Sequence, residues 1–175
     1  QGVRGVRMAI NLAAQQLRQE SLPSLVRGAL SCYDLAPEDI ELEITETVFL
    51  DFGSVERANL EGLRAAGMMI VLDDFGSGFA SLQYLRKFRF DCLKIDKHFV
   101  QKMQTSPQDA SIITGVLHMA RGFGVNVVAE GVETAAEAAC LKVMGCPQGQ
   151  GYYFGRPAPL EALTSAARPA PVPPG

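Results

Sequence analysis

The sequence predicts an α/β fold of the (β/α)8 TIM-barrel type, in which six strand–helix units are represented and about two N-terminal units are absent. Short aliphatic and β-branched runs alternate six times with longer segments of helical period, which is typical of parallel βαβ units. No strand-to-helix turn carries GxGxxG, GxxxxGKS or GxxxxGKT, which disfavours a doubly wound nucleotide-binding sheet. Acidic and amide side chains recur where the strands end, the face on which barrels carry active sites.

The first half of the chain carries three predicted strands, at residues 6–11, 40–45 and 68–73. The amphipathic stretch 12–30 predicts a helix that Pro23 interrupts, because proline lacks the amide proton that a helix interior needs. A second helix is predicted over 54–66, with Gly67 placed as a C-terminal glycine. The turn-rich segment DDFGSG then leads into a short helix near residues 81–87.

The second half predicts strands at 92–96, 125–130 and 149–154, separated by helices over 109–123 and 134–144. Thr134 and Glu137 have the spacing of a capping box, which marks the start of the last helix. Six strands are too few to close a barrel of eight, and such a barrel takes about 250 residues. This chain has 175 residues, so we expect the first two units to be missing from it.

Composition and charge narrow the classes of function. Hydrophobic residues make up 47% of the chain and charged residues 20%, which is ordinary for a globular domain. The formal net charge is −3, so no broad positive field is available to hold a DNA or RNA polymer by its phosphates. Any phosphate-bearing ligand must therefore be met by a local site.

The four cysteines lack CxxC spacing and the density of a disulfide-rich secreted module. We expect them to be buried free thiols in a reducing bacterial cytoplasm. No apolar run is long enough to span a bilayer, so we expect no membrane contact by this segment, although a parent protein could carry membrane or sensory domains. We predict one partial domain over residues 1–164 and a disordered proline-rich tail over 165–175.

The candidate site is a set of polar side chains at or near five strand ends: Asn11, Glu43, Asp73, Asp96 and Glu130. An isolated strand-end Asp is more often a turn former or a helix N-cap, so the argument depends on the recurrence. Side chains two apart share a face of a strand, which points Lys94 to the same side as Asp96. Clustered carboxylates require compensation, and oxygen ligands suit Mg²⁺, Mn²⁺ or Ca²⁺. The adjacent pair Asp73 and Asp74 could serve two ions.

Six ordered segments resemble the EAL domain of bacterial cyclic-di-GMP phosphodiesterases. They are AINLAAQQL (9–17), ELEITE (41–46), DDFGSGFASL (73–82), LKID (93–96), VVAEGVE (127–133) and QGYYFGRP (150–157). The resemblance covers residues 6 to about 163. It implies a barrel that binds two Mg²⁺ or Mn²⁺ ions and hydrolyses cyclic di-GMP to linear pGpG.

The resemblance also implies roles for individual residues. The implied metal ligands are Asn11, Glu43, Asp73, Asp74 and Glu130, with Asp73 and Asp74 reaching the second ion. The implied catalytic set is Lys94, Asp96, Glu130, Gln150 and Glu133, in which Lys94 and Asp96 hold the attacking water, Gln150 positions water or substrate, and Glu133 is a supporting residue. Glu46 would anchor the 73–82 loop, which frames the metals and a dimer contact, and Ser77 in that loop replaces the usual Thr.

One departure from the family pattern leaves alternatives open. No Glu-Ala-Leu segment precedes Ala9, so the metal-ligating Glu that names the family, and the Arg shortly after it, are missing. We expect the isolated chain to be an impaired enzyme, and an open barrel to self-associate or form a homodimer. One alternative is a receptor module that binds cyclic di-GMP without cleaving it. Another is an enolase-like barrel that places strand-end carboxylates around Mg²⁺.

Overall fold

The computed structural model describes residues 6–76, 85–86 and 88–159 of the chain. Within them lies a single parallel sheet whose spatial order follows the chain, β1-β2-β3-β4-β5-β6. Its strands are β1 (Met8–Asn11), β2 (Ile40–Thr45), β3 (Met69–Phe75), β4 (Cys92–Ile95), β5 (Asn126–Ala129) and β6 (Gln148–Gly149). Every pairing is between sequence neighbours, as the alternation of strand and helix in the sequence predicts.

The connecting helices are α1 (Ala14–Leu17), α2 (Leu22–Cys32), α3 (Ser54–Ala65), α4 (Lys97–Lys102), α5 (Pro107–Phe123) and α6 (Ala135–Met144). Short 3₁₀ turns occupy Pro37–Asp39 and Glu46–Asp51. The capping box at α6 is confirmed, because the Thr134 hydroxyl accepts a hydrogen bond from the Glu137 amide and the Glu137 carboxylate accepts one from the Thr134 amide. None of the described helices is long and apolar enough to cross a membrane.

The sheet is curled into a half-barrel with two chemically different faces. Alternate side chains such as Ile70, Leu93 and Ile95 point outward and are fully buried beneath the helices. The other set points inward and lines a cavity of about 330 Å³ that receives side chains from β2 through β6. Outward burial of Leu and Ile stabilises the fold by about 1.5–3 kcal/mol per side chain, which leaves the inner face free to carry polar groups.

Several sequence-based predictions were wrong in detail. The stretch 12–30 is interrupted as predicted, but the break falls at residues 18–21, and Pro23 lies in the first turn of α2, where its missing amide proton costs nothing. The strand predicted at 149–154 is shorter and earlier, because Gly151 has a φ of +155° and residues 151–154 turn away from the sheet. Helix α4 was not predicted, since its six residues are too few to show a helical period. The helix predicted near 81–87 lies outside the described residues except for 85 and 86.

The cysteines are free, but the prediction that all are buried was also wrong. Cys92 is buried on β4, whereas Cys32 is exposed at the end of α2 and the other two are half-buried. Burial, together with the charge of Glu41, raises the pKa of Cys92 to about 12. Its thiol is therefore protonated near neutral pH and behaves as a small apolar group.

Candidate metal centre

The ammonium group of Lys94 stands at the centre of the inner face, surrounded by carboxylates from three other strands. Its Nζ lies 2.8 Å from Glu43 Oε1, 3.2 Å from Asp73 Oδ1 and 2.6 Å from Glu130 Oε1. The Lys94 side chain is 7% exposed, and those of its partners are 9%, 13% and 19% exposed. Each contact is therefore a charge-assisted hydrogen bond in a largely dry environment.

The curl of the sheet produces this convergence. Glu43 lies on β2, Asp73 on β3 and Lys94 on β4, while Glu130 directly follows β5. Glu43 is paired in register with Val71 and Val71 with Cys92, which lies two residues before Lys94 on the same face of β4. The alternation argument in the sequence, which placed Lys94 and the strand-end acids on one face, agrees with this arrangement.

A second acidic group completes the centre. Carboxylate oxygens of Asp73, Asp74 and Glu130 lie within 4.8 Å of one another. Between Leu72 and Phe75, β3 has one more residue than the β4 segment it faces, so Asp73 and Asp74 form a bulge. Asp74 has a φ of +52°, an unusual conformation for a residue other than glycine, and its amide donates to Asp73 Oδ1 at 3.0 Å. The bulge lets two consecutive carboxylates reach the same place.

Burial and charge repulsion both act on the protonation of these groups. Burial, followed by the charges of Asp73 and Asp96, raises the pKa of Asp74. Burial likewise raises the pKa of Glu130, although the Lys94 ammonium opposes the rise. Burial alone would lower the pKa of Lys94, but hydrogen bonds to Glu130 and Glu43 outweigh it and raise that pKa. Lys94 is therefore charged, and the acids around it outnumber it.

The donor set fits divalent cations. Five carboxylates, on Glu43, Asp73, Asp74, Asp96 and Glu130, meet one ammonium group. Burial, with repulsion from neighbouring acids, raises the pKa values of Asp74 and Glu130, and one or two divalent ions would offset the charge of the ionised carboxylates. All of these donors are oxygens, which suit hard cations such as Mg²⁺, Mn²⁺ and Ca²⁺.

Asp96 and Asn11 lie beside this group in different ways. Asp96 is the N-cap of α4, where its Oδ1 accepts a hydrogen bond from the His98 amide at 2.7 Å. Its carboxyl group also contacts that of Asp74. Asn11 ends β1 opposite Glu43 in the sheet register, and its side chain is exposed at the mouth of the half-barrel. Helix capping, the common role of an Asp at a strand end, therefore occupies one carboxylate oxygen of Asp96. The same carboxyl group also contacts Asp74.

Glu46 holds the backbone that follows the acidic pair. Its carboxylate is buried, and Oε1 accepts a hydrogen bond from the Gly76 amide at 2.7 Å. Gly76 has a φ of +96°, in the region that glycine adopts without strain. The contact agrees with the anchoring role expected for Glu46, whereas Ser77, the other loop residue singled out, lies outside the described residues.

The structure separates Glu133 from the acidic cluster. Glu133 is exposed in the connection between β5 and α6, and its Oε1 accepts a hydrogen bond from Gln101 Nε2 of α4 at 3.2 Å. Gln150 is also exposed, but it lines the inner cavity together with Lys94. Gln150 is fixed through its backbone, since its amide donates to the Ala129 carbonyl at 2.8 Å. Gln150 therefore shares the inner cavity with Lys94, whereas the Glu133 side chain contacts Gln101 of α4.

Gly131 is a residue that sequence reasoning did not single out. It follows Glu130 with a φ of +65°, and a Cβ at this position would overlap the Cβ of Lys97 at the start of α4. Only glycine allows β5 to end so close to that helix, which sets the position of Glu130. The signal available in the sequence was the glycine directly after a strand-end acid.

Comparison with known proteins gives one consistent family. A sequence model of the EAL domain matches residues 1–157. The chain is 44% identical over 161 residues to an uncharacterized signaling protein of Caulobacter vibrioides, covering 91% of this chain and 20% of that protein. It is 40% identical over 163 residues to the cyclic di-GMP phosphodiesterase NbdA of Pseudomonas aeruginosa, covering 93% of this chain and 21% of NbdA.

Solved structures of two bacterial proteins are similar to the fold of this chain. The phosphodiesterase MucR of Pseudomonas aeruginosa in complex with c-di-GMP matches with a TM-score of 0.84 and 38% identity, over 90% of this chain and 64% of that chain. BlrP1 of Klebsiella pneumoniae, solved with c-di-GMP and either calcium or manganese, matches with a TM-score of 0.81 and 33% identity, over 87% of this chain and 39% of that chain. The chain thus spans about a fifth of the two curated relatives named above.

Proposed function

This chain belongs to the EAL domain family, and from that premise we propose that it forms the catalytic part of a phosphodiesterase that hydrolyses cyclic di-GMP to linear pGpG. The observation that carries the proposal is the convergence of Glu43, Asp73 and Glu130 on Lys94, with Asp74 beside them. A buried group of acids with a single ammonium is costly unless it has a ligand to bind. The relatives named as cyclic di-GMP phosphodiesterases support this choice of substrate.

The proposed cofactors are two Mg²⁺ or Mn²⁺ ions. Asn11, Glu43 and Asp73 would hold the first ion, Asp73 and Asp74 would hold the second, and Glu130 would complete the centre. Such ions lower the pKa of bound water and offset charge that develops on a phosphate. The similar structures of BlrP1 with manganese and with calcium support the binding of a divalent ion.

The chain's own residues would orient the reaction. The Lys94 ammonium contacts Asp73 and the Asp96 carboxyl group contacts Asp74, and in this proposal the two groups hold the attacking water molecule, with the Asp96 carboxylate accepting its proton. The water oxygen forms a bond to phosphorus as the bond from phosphorus to one ribose oxygen breaks, and that oxygen takes up a proton. Gln150 would position the water or the substrate, while Glu133 and Glu46 would support the site from its rim and from beneath the loop.

We further propose that the protein acts in the bacterial cytoplasm on this dinucleotide rather than on a DNA or RNA polymer, and that it forms a homodimer. A protein limited to these 175 residues should turn over substrate slowly, because the family's Glu-Ala-Leu glutamate and the Arg after it are not among them. The activity test therefore uses the full-length protein encoded by the gene.

The test is incubation of that protein with cyclic di-GMP and Mg²⁺ or Mn²⁺, with product separated by liquid chromatography. We expect pGpG to form, EDTA to abolish it, and Asp73→Asn to reduce turnover by about a hundredfold or more. His118→Ala on the outer helix α5 is the matched control and should retain activity. Tight binding of cyclic di-GMP without product under both metals would replace this proposal with the receptor module.

A further inference from the structure

We propose that Phe99 is a positioning residue that keeps Asp74 in place for the second divalent ion, an inference that rests on the proposed metal centre. Phe99 lies in α4, far along the chain from Asp74 on β3. Its ring packs against Gly76, which follows the acidic pair by two residues. The contact therefore links a helix behind the site to the backbone that carries one of its ligands.

The fit between the ring and the backbone is close. A Cβ placed on Gly76 would lie 2.8 Å from Phe99 Cε2 and 3.2 Å from Cζ, closer than real side-chain contacts allow. On its other side the Gly76 amide donates to Glu46 at 2.7 Å. The backbone after Asp74 is thus held by two side chains. The Glu46 carboxylate accepts its hydrogen bond, and the Phe99 ring limits how far it can move toward α4.

Asp74 needs such support because its own position is unfavourable. Its φ of +52° lies in the left-handed region, which residues with a side chain seldom adopt. Its carboxyl group also stands beside those of Asp73 and Asp96, and these like charges repel one another. Both effects favour a different backbone conformation at the end of β3, in which the Asp74 side chain points away from Asp73 and Asp96. The native arrangement persists only because the surrounding packing opposes that change.

Helix α4 carries Phe99 and begins at Asp96, whose carboxyl group is a neighbour of that of Asp74. Asp96 caps α4, and the Phe99 amide donates to the Asp96 carbonyl at 3.2 Å, within the first turn. Phe75, at the end of the bulge, pairs with Ile95 just before this turn. The distance between Asp96 and Asp74 is therefore set by the packing of α4 on the bulge, and Phe99 is the side chain that makes this contact with Gly76.

The test measures Mn²⁺ binding by calorimetry and electron paramagnetic resonance in the full-length protein. Phe99→Ala should raise the Kd of the second Mn²⁺ by about tenfold or more, as loss of a residue that supports a ligand does. The Kd of the first Mn²⁺ should change by no more than a few-fold. Phe99→Leu, which keeps a branched side chain, should recover part of the loss. Val100→Ala is the matched control, because Val100 is fully buried in the same helix. It should lower Tm and leave both Mn²⁺ affinities unchanged.

A double-mutant cycle tests the contact itself. Gly76→Ala places a methyl group against the Phe99 ring and also strains the backbone at a φ of +96°, so it should weaken binding of the second ion. Adding Phe99→Ala to that variant removes the steric conflict and leaves the backbone strain, so it should cost much less than Phe99→Ala costs alone. Equal losses of the second ion in Phe99→Ala and Val100→Ala would show a merely structural role and overturn the inference. Absence of any Mn²⁺ binding by the wild-type protein would instead overturn the proposed metal centre.

Discussion

At the scale of single residues, the balance of charge at the strand ends depends on Lys94. Its ammonium group contacts Glu43, Asp73 and Glu130, and no other ammonium or guanidinium group in the described part of the chain pairs with these three acids. The lysine therefore compensates the cluster in the metal-free protein. In the proposed mechanism the same ammonium group would also orient the nucleophilic water.

We predict that Lys94→Met strongly destabilises the metal-free protein. Removal of one partner leaves buried carboxylates without compensation, which costs about 3 kcal/mol or more. Urea denaturation in EDTA measures this loss, and saturating Mn²⁺ should recover more stability in the variant than in the wild-type protein. Lys97→Met, at an exposed position in α4, is the control. Equal stability of the two variants in EDTA would contradict the compensating role of Lys94.

The raised pKa of Glu130 predicts how the stability of the metal-free protein varies with pH. Between the ordinary glutamate pKa of about 4.3 and the raised value, the folded protein binds a proton that the unfolded chain releases. Stability therefore increases as pH falls through this window, and decreases as pH rises through the raised pKa.

Thermal denaturation in EDTA between neutral and mildly acidic pH measures this effect. We expect Glu130→Gln, which cannot titrate, to have a flatter dependence of Tm on pH than the wild-type protein. An unchanged dependence in the variant would show that Glu130 does not titrate in this range. With Mn²⁺ present the dependence should reverse, because protons compete with the ion for the same oxygens.

At the scale of elements, the helices that were predicted correctly carry their signals in local sequence. Ser106 and Thr134 cap α5 and α6, and Gly124 and Gly145 end them with φ values of +67° and +78°. Helix α4 has the Asp96 cap but only six residues, so its stability depends on the packing of Val100 into the core. Local signals were sufficient where the helix was long, and tertiary packing was needed where it was short.

We predict that Thr134→Ala lowers the free energy of unfolding by about 1 kcal/mol, because the Glu137 amide loses its acceptor. Thr134→Ser retains the hydroxyl and should be close to the wild-type protein. Chemical denaturation of the three proteins makes the comparison. A loss of stability in Thr134→Ser as large as in Thr134→Ala would show that the methyl group, rather than the hydrogen bond, is responsible.

At the scale of the whole molecule, the sheet has two unpaired outer strands in the described part of the chain. On β1, Met8 and Ile10 point to one side and are 63% and 44% exposed. A strand edge with free backbone groups and an adjacent apolar stripe is a surface on which another strand can add. The same curl that brings the acidic side chains together leaves this edge open in the described part of the chain.

We predict that this chain self-associates through β1. Sedimentation velocity should show a mass that rises with concentration, and Ile10→Lys should shift the protein toward the monomer because a charge at the edge opposes strand pairing. Val143→Lys, on the 89% exposed side chain of α6, is the control. A wild-type chain that stays monomeric over the whole concentration range would contradict the prediction.

The sequence by itself determined the order and number of the strands, the main helices and the residue types at the strand ends. These features depend on local periodicity, caps and glycines, which are contained in short segments of chain. It also placed Lys94 on the same face as the acids, since alternation along a strand is a local property. The family followed from ordered motifs, which need no coordinates.

Only the tertiary structure decided which of those groups meet. Glu43, Asp73, Asp74 and Glu130 gather around Lys94, whereas Glu133, which stands in the same motif as Glu130, turns to Gln101 at the rim. This outcome depends on the curl of the sheet, the bulge that gives Asp74 its φ of +52°, and the contact of Phe99 with Gly76. Each of these joins segments far apart in the chain, so the distances between charges follow from packing and not from spacing.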